Sequence, residues 1–179
     1  MNVIIIILIV IATLIALLLL LALFVKKGYS VEREIIINKP RNDVFNYIKY
    51  LKNQDHYSKW VMTDPHMKKD FRGTDGTIGF VYAWEGNQKA GKGEQEIKKI
   101  TEGERLDVEV RFVKPFEAIA NTPFTTESVN GSQTKVKWGM TSQMKYPMNI
   151  MLLFMNFDKL LGTDLEISLG NLKNILERK

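Results

Sequence analysis

Hydrophobic and polar positions change rhythm several times along this chain. From Val3 to Val25 every residue is apolar except Thr13, and the run contains no charge, proline or glycine. As a helix rising about 1.5 Å per residue it would reach roughly 34 Å, enough to cross a hydrocarbon core of about 30 Å. A helix also satisfies its own backbone hydrogen bonds, which lipid cannot do. A cleaved secretory signal would need a basic segment before a shorter apolar core and a small-residue cleavage site after it. Only Met1 and Asn2 precede the run, and Leu23-Phe24-Val25-Lys26-Lys27 offers no such site. The pattern therefore predicts a retained anchor over residues 1–27, spanning the bilayer with residues 3–25, and one further domain over residues 28–179.

Beyond the anchor the period shortens. Val31, Arg33, Ile35 and Ile37 alternate with Glu32, Glu34, Ile36 and Asn38, which predicts a strand. Pro40 sits where a first helical turn tolerates it, and Val44, Phe45, Ile48 and Leu51 recur at helical spacing. One more helical turn is expected around His56 to Trp60. A meander follows, with strands over Ile78 to Trp84, Ala90 to Ile100, Arg105 to Val113, Phe116 to Ser128 and Thr134 to Thr141. The turns between them are short, so neighbours should pair antiparallel. Pro147 then opens a long helix to about Leu176, with Ile150, Phe154, Phe157, Leu161, Leu165, Leu169 and Leu172 about one turn apart. A long apolar helix after a meander needs the concave face of a curved sheet. The predicted class is α+β, a helix-grip arrangement behind one transmembrane helix.

Charge and composition narrow the partners. The chain carries 25 Lys plus Arg against 20 Asp plus Glu, a net charge of +5, and none of it lies in the apolar run. Lys26 and Lys27 directly follow that run, and basic flanks stay on the cytoplasmic side. The expected location is the cell (inner) membrane, single-pass, with the domain facing the cytoplasm. The lysines are scattered as pairs, Lys68-Lys69 and Lys98-Lys99, among acidic residues, so no nucleic-acid patch is expected. The absence of cysteine excludes disulfides, thiol catalysis and cysteine metal sites.

Val31-Glu32-Arg33-Glu34-Ile35 leading to Pro40 and Val44-Phe45, Tyr82-Ala83-Trp84-Glu85-Gly86-Asn87, Gly91-Lys92-Gly93-Glu94, Lys114-Pro115-Phe116-Glu117, and Pro147-Met148 followed by Phe154-Met155 and Asp158-Lys159 form a set. Together they resemble the SRPBCC superfamily, the START-like and polyketide cyclase/dehydrase-like helix-grip proteins, and in particular its bacterial branch with an N-terminal membrane segment. The resemblance covers about Val31 to Leu176. It implies a hydrophobic cavity between sheet and C-terminal helix that holds lipids, sterols, quinones, polyketides or other apolar ligands.

Strand alternation independently permits a cavity. If Tyr82 and Trp84 face the helix, Phe80 and Ile78 share their side. The matching inward sets are Gly91, Gly93, Gln95 and Ile97; Leu106, Val108, Val110 and Phe112; Phe116, Ala118, Ala120 and Thr122; and Val136, Trp138 and Met140. Glycine and alanine beside large aromatics leave space, and on this reading Gly93→Leu fills space without unfolding the domain. The candidate cavity lining is Trp60, Phe80, Tyr82, Trp84, Gly93, Gln95, Val110, Phe112, Ala118, Ala120, Trp138, Met140, Phe154 and Phe157. The alternative is that the three tryptophans fill the core and the glycines mark strand bends.

No catalytic constellation assembles. His56 and His66 are the only histidines and lack a carboxylate pair at metal-ligand spacing. Arg72-Gly73-Thr74-Asp75-Gly76 and Gly91-Lys92-Gly93 lack the pattern and the strand-to-helix setting that cradle phosphate. No cofactor or metal is expected. The reading is a membrane-anchored binding module for an apolar, lipid-like small molecule. The alternatives are a cyclase, dehydratase or hydrolase using an in-cavity acid such as Tyr82, or a regulatory domain that binds a protein partner.

Overall fold

The computed structural model describes residues 2–178. Its first element is helix α1 (Val3–Phe24), in which Ala22 alone is buried. Among the described residues α1 is the one helix long and apolar enough to cross a membrane. Among the described residues its buried position and its side-chain bonds to the domain lie at its C-terminal end. There the buried Asn149 side chain donates to the carbonyls of Ala22 at 2.7 Å and Val25 at 3.1 Å, and Met144 N–H donates to Lys27 at 2.7 Å. The last carbonyls of a helix have no partner within it, so Asn149 both satisfies them and pins α1 to the domain.

Eight antiparallel strands form one sheet: β1 (Gly28–Ile37), β2 (Lys68–Arg72), β3 (Val81–Glu85), β4 (Lys92–Thr101), β5 (Arg105–Lys114), β6 (Ala118–Asn121), β7 (Phe124–Asn130) and β8 (Gln133–Gln143). Their order is β1-β8-β6-β5-β4-β3-β2, with β7 bridging β5 and β8. The stretch expected as one strand from Phe116 to Ser128 is thus two. Pro123 interrupts it, because proline has no N–H for the ladder; its carbonyl instead accepts from Gly139 at 2.9 Å. Strand β2 has no counterpart in the sequence reading. It is a wholly exposed edge of sequence Lys-Lys-Asp-Phe-Arg, charged as edge strands are when they must not recruit another chain, and so it lacks alternation.

Registry defines the two ends of the sheet. Gly28 pairs with Gln143, Ala120 with Ser142, Phe112 with Ala118, Lys92 with Lys114, and Glu85 with Lys92. The β3–β4 turn, the β5–β6 turn and the end of β8 therefore lie at the same end as the exit of α1. The β7–β8 turn around Ser132 lies at the other, where Ile37 pairs with Thr134.

Two helical layers cover one face. Helix α2 (Arg41–Lys49) buries Val44, Phe45 and Ile48, and a 3-10 turn leads to α3 (Gln54–Tyr57). The chain then reaches α4 (Met151–Phe154) and α5 (Phe157–Glu177). The single long helix expected from Pro147 is broken at Met155-Asn156, where the Asn156 side chain accepts from Lys159 N–H at 2.8 Å and caps a new helix. Leu165, Leu169 and Leu172 of α5 are buried against the sheet, each worth about 1.5–3 kcal/mol of burial.

Gly162 of α5 has a second role. Arg33 from β1 lies across it, bonding Asp158 at 3.0 Å and Glu166 at 2.6 Å, and a Cβ at residue 162 would strike the guanidinium. The hydrogen bond from Arg33 holds the Asp158 carboxyl below its ordinary range. The result is the helix-grip arrangement.

Candidate ligand cavity

Between the concave sheet and the α3–α5 layer lies a cavity of about 250 Å³. Strand β3 supplies Tyr82 and Trp84, β4 supplies Gln95, β5 supplies Val110 and Phe112, and β8 supplies Trp138 and Met140. Each strand contributes alternate residues because successive side chains point to opposite faces. Gln54 and Ser58, one helical turn apart, close the roof with Trp60, and Leu161 of α5 closes the side. All three tryptophans of the chain line this space.

Polar groups in the walls are few. Gln95 donates to Gln54 at 3.0 Å, both side chains being buried. Trp84 donates its indole N–H to the Ala90 carbonyl at 3.1 Å. Tyr82 donates its hydroxyl proton to Asp55 at 2.6 Å, and Asp55 is paired with Lys69 at 2.7 Å. Burial, reinforced by the bond to Asp55 and its charge, pushes the Tyr82 phenol well above its ordinary value. Trp138 differs from these. Its ring stacks on Phe124 at 4.3 Å and meets Trp60 edge-on at 5.6 Å, but its buried N–H has no partner among the described residues. A buried donor left unpaired costs about 1–3 kcal/mol.

Of the fourteen residues singled out from the sequence, Trp60, Tyr82, Trp84, Gln95, Val110, Phe112, Trp138 and Met140 line the cavity. The other six do not. Phe80 is buried in the core beside Phe71, at 6.3 Å. Ala118 and Ala120 pair with Phe112 and Val110 but stop short of the space. Phe154 is 73% exposed on α4, and Phe157 stacks on Tyr29 at 4.9 Å; both line a shallow groove beside α1.

Gly93 is the sharpest correction. The Trp84 ring lies across it, and an added Cβ would stand 2.6 Å from the Arg111 carbonyl and 2.7 Å from that ring. Its missing side chain is filled by a neighbour and contributes no free volume. Ile78 and Phe116, also expected to face inward, are 64% and 65% exposed because each lies in a turn outside its strand.

The sequence reading missed Tyr29, Gln54, Ser58, Val61, Met67, Leu161 and the rim residues Lys89, Ala90, Lys114 and Pro115. Two signals were available. Tyr29 alternates in phase with Val31, and Gln54 and Ser58 are polar residues four apart beneath aromatic neighbours. His56 and His66 are both exposed, and neither lines the cavity. Among the described residues no group of three or more His, Cys, Asp or Glu side chains is placed to hold a metal.

No family model matches this chain, and no curated protein sequence does. Solved structures do match in shape. Truncated norcoclaurine synthase from Thalictrum flavum has a TM-score of 0.64 at 10% identity, over 87% of this chain and 98% of that one. The same enzyme in complex with dopamine and hydroxybenzaldehyde gives 0.62 at 10% identity, over 87% and 91%. The Aha1 dimer from Colwellia psychrerythraea gives 0.57 at 15% identity, over 83% and 96%. At these identities the likeness shows the helix-grip fold.

Proposed function

We propose that this chain is a membrane-anchored binding module for an apolar, lipid-like small molecule held between sheet and α5. The observation that carries the reading is the cavity itself, apolar-walled and lined by every tryptophan in the chain. An apolar cavity of about 150 Å³ admits a benzene-sized guest, so about 250 Å³ suits an alkyl chain or a small ring system. The Gln54–Gln95 pair in the wall favours a guest with one hydrogen-bonding group, such as a carbonyl or ester oxygen. The related structure with dopamine and hydroxybenzaldehyde lends support, since the same fold there accompanies small organic molecules. Helix α1, exposed along its length except at Ala22, supplies the anchor, and Lys26-Lys27 favour a cytoplasmic domain.

The enzyme alternative rests on Tyr82. Its proton is already committed to Asp55 and its acidity is weakened by burial, which favours a wall residue over a general acid. Organic extracts of the purified full-length protein, analysed by mass spectrometry, test the binding reading. One apolar species retained near equimolar ratio, beyond bulk lipid and detergent, is expected. Extracts containing only bulk lipid and detergent would count against a resident ligand.

A further inference from the structure

The cavity has a direction. Of the residues that line it, the exposed ones are Lys89, Lys114 and Pro115, so these mark the mouth. They sit on the β3–β4 and β5–β6 turns, and strand registry places both turns at the end of the sheet where β1 leaves the anchor. The same end carries exposed apolar side chains with nothing packed over them: Phe116 beside the mouth, and Leu153 and Phe154 on α4. Helix α4 is held at the anchor's exit by Asn149, whose side chain bonds Ala22 and Val25. Charge follows the same geography. Lys26, Lys27, Lys89, Lys114 and Lys145 are exposed, and none is in an ion pair among the described residues; the carboxylates nearest them are Glu117 in the β5–β6 turn, Glu85, which is paired with Lys92, and Asp64, which accepts from Asn87 N–H in the β3–β4 turn.

We propose that this end of the domain docks on the bilayer that holds α1, so that the cavity mouth faces the lipid headgroups and exchanges its guest directly with the leaflet. The proposal rests on α1 being a membrane span. Aromatic and aliphatic side chains rimmed by unpaired lysines match an anionic surface: the apolar tips enter the headgroup boundary and the ammonium groups meet lipid phosphates. Tyr29 joins the two regions, since it lines both the cavity and the groove of Phe154 and Phe157 beside α1. A guest leaving the leaflet beside α1 would meet the Tyr29–Phe157 stack before the cavity interior.

The chain has no cysteine, so single-cysteine variants can be spin-labelled cleanly. Full-length protein is placed in nanodiscs of equal parts phosphatidylcholine and phosphatidylglycerol. Labels are set at Leu14→Cys within α1, at Phe116→Cys and Phe154→Cys on the docking end, and at Ser132→Cys on the opposite end. Relaxation by oxygen, which concentrates in lipid, is compared with relaxation by a water-soluble nickel chelate. The expected result is oxygen-dominated relaxation at 14, 116 and 154, and nickel-dominated relaxation at 132. In a Lys89→Glu/Lys114→Glu background, nickel access at 116 should rise while position 14 is unchanged. Nickel-dominated relaxation at 116 or 154 with position 14 in lipid overturns the docking proposal and leaves the anchor standing. Nickel-dominated relaxation at 14 overturns both.

Discussion

Gly93→Ala is expected to lower the melting temperature of the full-length protein, and Gly93→Leu to prevent the domain from folding. A Cβ at this position would stand 2.6 Å from the Arg111 carbonyl and 2.7 Å from the Trp84 ring, well inside contact distance. Neither neighbour yields easily. The Arg111 carbonyl belongs to the β4–β5 ladder, and the Trp84 indole is fixed by its bond to Ala90 and its edge-on contact with Phe112 at 6.0 Å. Overpacking a filled core costs about 1–3 kcal/mol, and at about 2–4 °C per kcal/mol for a domain this size the alanine variant should melt several degrees lower. Leucine adds three more carbons to the same collision. Near-ultraviolet circular dichroism during heating reads both variants; a leucine variant that melts with the parent would show that Trp84 moves freely and that the wall is soft.

Val110→Phe should do the opposite, abolishing binding while sparing the fold. Val110 faces the cavity from β5, opposite Gln95, and a phenyl ring there enters space that is empty of protein. The retained apolar species should fall tenfold or more while the melting temperature stays within a few degrees. Val108→Phe is the internal comparison. Val108 lies two residues away on the same face but is buried in the core and does not line the cavity, so it should cost about 1–3 kcal/mol. If Val110→Phe destabilises as much as Val108→Phe, the cavity collapses in solution; if it folds and still retains the species, the guest sits elsewhere.

The fold was legible because its signals are periodic. Alternation in β1, β4, β5 and β8 and helical spacing in α2 and α5 each report a buried face, and a buried face constrains register strongly. Helix α1 was legible from its unbroken apolar run, which makes it long and apolar enough to cross a membrane. What failed was space. Alternation tells which way a residue points and says nothing of what occupies the volume beyond it, so Gly93 read as a void although Trp84 covers it. Elements without a buried stripe were missed: the charged edge strand β2 and the break at Asn156, where the apolar pattern continues through Phe154 and Met155 although those side chains turn outward. The cavity roof and rim come from α3 and two turns, where no period exists to be read.

Tryptophan fluorescence tests the central claim most directly, because Trp60, Trp84 and Trp138 are the chain's only tryptophans and all line the cavity. Full-length protein in nanodiscs is titrated with 9,10-dibromostearate, whose bromines quench an indole on contact. The account predicts saturable quenching in the parent and little in Val110→Phe, with intact near-ultraviolet dichroism in both. Quenching that rises linearly without saturation, or to the same extent in both proteins, would contradict it.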